Sequence, residues 1–195
     1  MSKIMICGLN GSGKTTLGKS LAMVLNYRHL DVEDYYFPNE DNYKYKTALT
    51  TEKVTKKIEE DFNKYNNIVF TACKGDYGNI SSKYDVVIYI HLDRETRLKR
   101  VKQRSYNQFG SRIFKNGDLF EKESKFFNMV YNRDELDIIN WFNKLECYKI
   151  EIDGSKSIDE NIKIILMQLK DFDRRLWKLC WKREGCFNVY LIKLL

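Results

Sequence analysis

The octet Gly8-Leu9-Asn10-Gly11-Ser12-Gly13-Lys14-Thr15 lies between an apolar run, Ile4-Met5-Ile6-Cys7, and a stretch whose apolar residues (Leu17, Leu21, Val24, Leu25) have helical spacing. No other feature constrains the fold as strongly. The octet fits Gly-x-x-x-x-Gly-Lys-Thr without a mismatch, and its setting is strand, glycine-rich turn, helix. Glycines let the backbone curl until successive N–H groups converge on one anion. The following helix adds the partial positive charge of its N-terminus. In a loop of this kind Gly8, Asn10, Gly11, Ser12 and Gly13 cradle the phosphates, and Lys14 reaches the β- and γ-oxygens. The Thr15 hydroxyl is placed for Mg²⁺, and Thr16 for the α-phosphate. The expected cofactors are therefore ATP and Mg²⁺.

The remaining pattern alternates strands with helices. Strands are expected over Lys3–Cys7, Tyr27–Asp31, Asn67–Ala72, Asp85–Ile90 and Tyr148–Ile152. Most are near-continuous apolar runs, which are buried on both faces. Helices are expected from Lys14 to Asn26, Thr50 to Tyr65, Asp93 to about Gln108, Asp118 to Lys144 with one break near Asn132, and Ser157 to Leu169. Ser157 with Glu160 makes a capping box for the last of these. The predicted fold is α/β: a three-layer, doubly wound P-loop NTPase fold with a five-stranded parallel sheet and a short lid.

Two further segments carry candidate chemistry. Asp31-Val32-Glu33-Asp34-Tyr35-Tyr36-Phe37 follows the second strand, at the carboxyl edge where ligands bind in such sheets. Phosphoryl transfer needs a carboxylate to orient or deprotonate the acceptor, and an acid near Mg²⁺. Asp34 is the expected acceptor carboxylate and a metal candidate with Thr15; Asp31 or Glu33 could serve on the metal's water. From Arg94 to Lys115 there are eight basic residues against one acid, an excess equal to the whole-chain net charge of +7. Arg97, Arg100 and Arg104 share a helical face. Arginine forks suit phosphate oxygens, so Lys14, Arg100, Arg104 and Arg112 are the expected stabilisers of transferring charge. Gly110 and Gly117 bracket a possible hinge. Lys74 and Asp76, after the third strand, either touch the acceptor or form a plain turn.

At these residues the chain resembles the P-loop nucleoside- and nucleotide-kinase-like group, which includes adenylate, shikimate, gluconate and riboside kinases. The resemblance covers about residues 1–170. Gly8 to Thr16 matches the phosphate loop. Glu33-Asp34-Tyr35-Tyr36 resembles the Asp-Asp-aromatic-aromatic segment of riboside kinases, and this implies that Asp34 acts as base. Arg100 and Arg104 resemble the paired arginines entering the adenylate-kinase lid, which makes Arg112 a lid arginine. Gly154-Ser155-Lys156 sits where this group packs adenine against backbone. The chain is also similar to uncharacterised bacterial ATPases of this fold, grouped with AAA ATPases, through Lys74–Gly78, Arg104–Arg112 and Gly117–Glu121. Three departures stand out. No arginine occurs between residues 32 and 90, the shikimate-kinase Asp-x-Asp is here Asp31-Val32-Glu33, and no Asp-Glu pair follows the strand ending at Ile90. The last argues against an oligomeric mechanochemical machine.

The resemblance implies an ATP-dependent kinase of a small-molecule acceptor. A nucleic-acid-acting NTPase and a non-catalytic nucleotide switch are the alternatives. Nucleic acid is a possible but not a favoured partner, and the chain is expected as a monomer or homodimer. Five scattered cysteines without a Cys-x-x-Cys pair point to reduced thiols, and no apolar run is long enough to span a bilayer. Both fit a cytoplasmic protein. One domain is expected over residues 1–170, with its lid at about 105–120. Residues 171–195 form a tail, either a docking helix or disordered.

Overall fold

The computed structural model describes residues 2–38 and 48–183. Five strands, β1 (Ser2–Cys7), β2 (Arg28–Asp31), β3 (Asn67–Thr71), β4 (Val86–His91) and β5 (Tyr148–Asp153), form one parallel sheet in the order β2-β3-β1-β4-β5. Strand alternation divides each apolar run between two cores. Ile4, Ile6, Val69, Ile88 and Ile150 face one side, where α1 (Lys14–Leu25) contributes Leu17 and Leu21, and α7 (Ile158–Arg183) contributes Ile162 and Ile165. Met5, Cys7, Phe70, Val87 and Tyr89 face the other side, against Ile58 and Phe62 of α3 (Thr51–Lys64) and Ile138 and Phe142 of α6 (Leu136–Lys144). The edges of Phe70 and Tyr84 meet the Phe62 ring at 5.5 and 5.8 Å between centroids, a geometry aromatic quadrupoles favour. The sheet is thus the middle of three layers.

The chain crosses from β1 to β2 on one flank and from β3 to β4 on the other. The carboxyl end of β1 is therefore the point at which the winding reverses, and open α/β sheets bind ligands there. The segment after β2 is not an open loop. It forms one helical turn, α2 (Val32–Tyr36), capped by Asp31, whose Oδ1 accepts from Glu33 N at 2.9 Å. The basic helix α4 spans Arg94–Phe109 and is followed by a 3₁₀ turn, Gly110–Ile113. The expected helix from Asp118 is two: α5 (Phe120–Asn132) and α6. Asp134 Oδ1 accepts from Leu136 N at 2.9 Å, which starts the second helix afresh.

α7 begins at the predicted capping box, where Ser157 Oγ donates to Glu160 Oε2 at 2.6 Å. It continues beyond Leu169 to Arg183, and Phe172 stacks on Tyr148 of β5 at 4.5 Å. Part of the expected tail is therefore helical backbone, while its apolar end, Val189 to Leu195, lies outside the described residues. No helix among the described residues is long and apolar enough to cross a membrane.

Candidate functional site

The octet after β1 folds as its glycines require. Gly11 has φ 82°, and a Cβ there would lie 2.4 Å from the carbonyl oxygen of Arg97 in α4. Glycine is needed both for the left-handed conformation and for the close approach of α4. Gly11→Ala should cost about 1–3 kcal/mol through overpacking, with about 1–2 kcal/mol more for the left-handed residue. Urea melts of the two proteins would measure that loss.

Lys14 Nζ donates to Leu9 O at 3.0 Å, so the ammonium stays at the mouth of the loop. Thr15 Oγ1 donates to Asp31 Oδ2 at 2.7 Å. Asp31 is 6% exposed, and its two oxygens are divided between Thr15 and the cap of α2. These residues line a cleft of about 200 Å³ together with Asn10, Gly11, Gly13, Thr16, Glu33, Cys73, Arg100 and Arg104. Gly13, Thr16 and Arg100 also line an adjoining cavity of about 520 Å³, together with Gly154, Ser155 and Lys156. Ser12 faces this second cavity. Gly8 is buried at the base of the loop, its N–H bonded to Cys73 O at 3.3 Å. Most of the expected nucleotide residues are thus brought around two joined hollows.

Two expected residues are not. Asp34 is exposed and does not line the cleft, whereas Glu33 does. The cause is α2: Asp34 follows the buried Val32 by two residues, about 200° around a helix. The carboxylate beside the Thr15 hydroxyl is Asp31, not Asp34. Arg112 is turned outward onto Asp118, with Nε–Oδ1 at 2.9 Å and Nη2–Oδ2 at 2.6 Å. That bidentate contact holds the Asp118 carboxyl below its ordinary range. Gly117 is closely packed: a Cβ there would lie 2.1 Å from Arg112 O.

The three arginines of α4 separate as well. Arg97 falls on the buried stripe Arg97–Val101–Ser105–Phe109 and is 2% exposed. Its Nε donates to Leu92 O at 3.2 Å and stands 3.8 Å from Glu135 Oε1. Arg100 and Arg104 flank that stripe and reach the cleft. Asp93, the acid nearest the end of β4, caps α4 by accepting from Thr96 N at 2.8 Å. Lys74 pairs with Asp76 at 3.0 Å and with Asp137 at 3.1 Å, and these bonds hold its ammonium above its ordinary pKa. The segment after β3 is therefore pinned to α6.

Sequence reasoning missed Arg133. From the α5–α6 connection its Nη1 donates to Asn10 Oδ1 at 3.0 Å and lies 3.5 Å from Cys73 Sγ. Both contacts line the phosphate cleft, so a third guanidinium stands beside the loop. No local pattern announces it, since the contact joins residues 123 positions apart.

The donor set suits a hard divalent cation. The Thr15 hydroxyl and the Asp31 carboxylate are oxygen ligands held together, and Mg²⁺ takes few protein ligands, completing its shell with phosphate oxygens and water. Among the described residues no cluster of three or more His, Cys, Asp or Glu side chains is placed to hold a metal by itself. His29 Nε2 lies 3.2 Å from Thr71 Oγ1, and burial lowers the pKa of its imidazole. His91 pairs with Glu151 at 2.6 Å.

A model of the AAA domain family matches residues 4–126, from β1 through the phosphate loop and α4 into α5. The chain belongs to that family. The chain is similar to the uncharacterised protein YqaC of Bacillus subtilis (strain 168), 24% identical over 84% of this chain and 94% of the relative. It is also similar to a shikimate kinase of Enterococcus faecalis (strain ATCC 700802 / V583), 29% identical over 88% of this chain and all of the relative. Among solved structures, a gluconokinase from Sinorhizobium meliloti 1021 superposes with a TM-score of 0.56 at 17% identity, covering 91% of this chain and 97% of the other. The likeness in structure shows the fold: this AAA domain has the P-loop kinase-like architecture.

Proposed function

We propose that this AAA domain is an ATP- and Mg²⁺-dependent phosphotransferase that moves the γ-phosphate to a hydroxyl of a small molecule in the cytoplasm. One observation carries the reading: Lys14, Thr15, Asp31, Glu33, Arg100 and Arg104 all meet at one cleft. Glu33 lines this cleft beside the loop residues, where a carboxylate can accept the proton of an acceptor hydroxyl. The relatives named for shikimate and gluconate kinase activity support the same class of reaction.

The residues divide the work as follows. The loop backbone and Lys14 bind the β- and γ-phosphates. Thr15 and Asp31 would hold Mg²⁺, which when bound neutralises charge across the phosphates. Glu33 accepts the proton of the acceptor hydroxyl as its oxygen bonds to the γ-phosphorus, and ADP carries away the electrons of the broken P–O bond. Arg100, Arg104 and Arg133 stabilise the charge spread over the transferring group. Arg133→Ala should lower turnover about 10- to 100-fold, the worth of a charge-assisted hydrogen bond. ATP affinity should change far less, and steady-state kinetics would separate the two.

A polynucleotide substrate has less support than the charge of α4 suggests. Arg97 is buried, Arg94 lies over the Tyr131 ring at 5.2 Å, Lys102 over Phe127 at 5.8 Å, and Arg112 is paired with Asp118. Half of that segment's basic side chains thus have a partner within the domain, and Arg97 is buried outright.

The test is ATP consumption in the presence of pooled nucleosides, nucleotides, sugars, sugar acids and oligonucleotides. Acceptor-stimulated ADP release with a small-molecule pool is expected. Tight ATP binding with no stimulation by any pool would refute the proposal.

A further inference from the structure

Arg133 belongs to a short connection, Arg133-Asp134-Glu135, between α5 and α6. Its guanidinium stands between two hollows. On one side is the phosphate cleft, where Nη1 meets Asn10 Oδ1 at 3.0 Å. On the other is a cavity of about 540 Å³ at the carboxyl ends of β4 and β5. Arg133 lines that cavity too, with Arg97, Glu135 and the carboxylates of Asp93, Asp134 and Asp153. The three aspartates offer the guanidinium competing anionic partners. Fixing so long a side chain costs rotamer entropy, and one hydrogen bond to Asn10 offsets little of it. The side of the connection on which Arg133 rests therefore depends on how its backbone is anchored.

The anchor is two residues further on. Glu135 Oε1 lies 3.8 Å from Nε of Arg97, and Arg97 is 2% exposed. A buried guanidinium without a counter-charge is strongly unfavourable. Packing α4 against the sheet therefore draws Glu135 inward, and the connection with it. A second ion pair, between Lys74 and Asp137 of α6, leaves its carboxylate side chain 79% exposed, and pairs so open to water contribute little. Glu135 does not line the phosphate cleft, so any effect it has there passes through Arg133.

We infer that Glu135, through its pairing with Arg97, is a positioning residue that holds Arg133 on the phosphate loop and keeps it out of the neighbouring acidic cavity. The inference rests on the phosphotransferase reading for its kinetic consequence, but not for its geometry. Without the charge at Glu135, Arg97 loses its counter-ion and the connection loses its inner tie. Arg133 then turns toward the aspartates of the cavity behind it. Turnover falls because a stabilising charge has left the transferring group. ATP affinity changes far less, since the loop backbone and Lys14 bind the phosphates.

The test has two readouts. The first needs no acceptor: crystal structures of the full-length chain and of Glu135→Gln. Arg133 should lie on Asn10 in the parent and leave it in the variant. Arg133 still within hydrogen-bond distance of Asn10 in Glu135→Gln would overturn the inference. The second is a double-mutant cycle on kcat. Glu135→Gln should lower kcat about 10- to 100-fold, matching Arg133→Ala. With Arg133 already alanine, the same substitution should change kcat by less than about twofold. Losses that multiply would mean that Glu135 supports the fold generally, and would also overturn the inference. If Glu135→Gln fails to fold, Arg97→Met/Glu135→Ala removes both charges together and leaves none buried and unmatched. Both readouts are then taken on that protein, with the same results expected and the same results decisive. If Arg133 moves as expected but no acceptor pool stimulates turnover, the phosphotransferase reading fails while the positioning role stands.

Discussion

Exchanging Lys14 for alanine is expected to cut acceptor-dependent ATP turnover roughly 100- to 1,000-fold, the effect of removing one preorganised donor from a developing oxyanion. The fold should survive. Among the described residues the Lys14 side chain makes one hydrogen bond, to Leu9 O within the same loop, and a single such bond contributes about 1 kcal/mol. The two proteins should therefore have similar urea midpoints and different kinetics. Calorimetric titration with ATP completes the comparison. A Lys14→Ala protein that binds and consumes ATP like its parent would refute the assignment of the loop.

The second large effect concerns the acids after β2. Glu33→Gln should lower turnover about 100- to 10,000-fold, as loss of a general base does, while ATP affinity holds. Asp34→Asn should stay close to the parent, because Asp34 is exposed and lies outside the cleft. The pair of substitutions distinguishes neighbouring carboxylates on one turn of helix. A strong defect in Asp34→Asn with an active Glu33→Gln protein would return the acceptor role to Asp34.

These acids also show where sequence reasoning ends. The phosphate loop was legible because its function is a backbone conformation, and that conformation demands glycine at fixed positions. The strands were legible because burial on both faces leaves unbroken apolar runs. In contrast, Glu33 and Asp34 are adjacent in a segment too short to show a period, and only the cap made by Asp31 sets which of them faces the cleft. The arginines of α4 pose the same problem in a longer helix. Spacing places Arg97, Arg100 and Arg104 together, but not the direction of the core, and the stripe through Val101 and Phe109 takes Arg97 inside. Arg133 had no signature at all, because its role comes from a contact made only after the α5–α6 connection folds over the loop.

The press of the Arg97 carbonyl on Gly11 has a mechanical consequence. With Arg97 tied to Leu92 and Glu135 as well, the start of α4 and the phosphate loop are joined as one block. Arg100 and Arg104 therefore project toward the cleft from a helix whose first turns are anchored to the loop that they face. Beyond them, α4 ends at Gly110, whose φ of 58° and ψ of −136° turn the chain into a short segment anchored by Ile113 and Leu119 against Phe109.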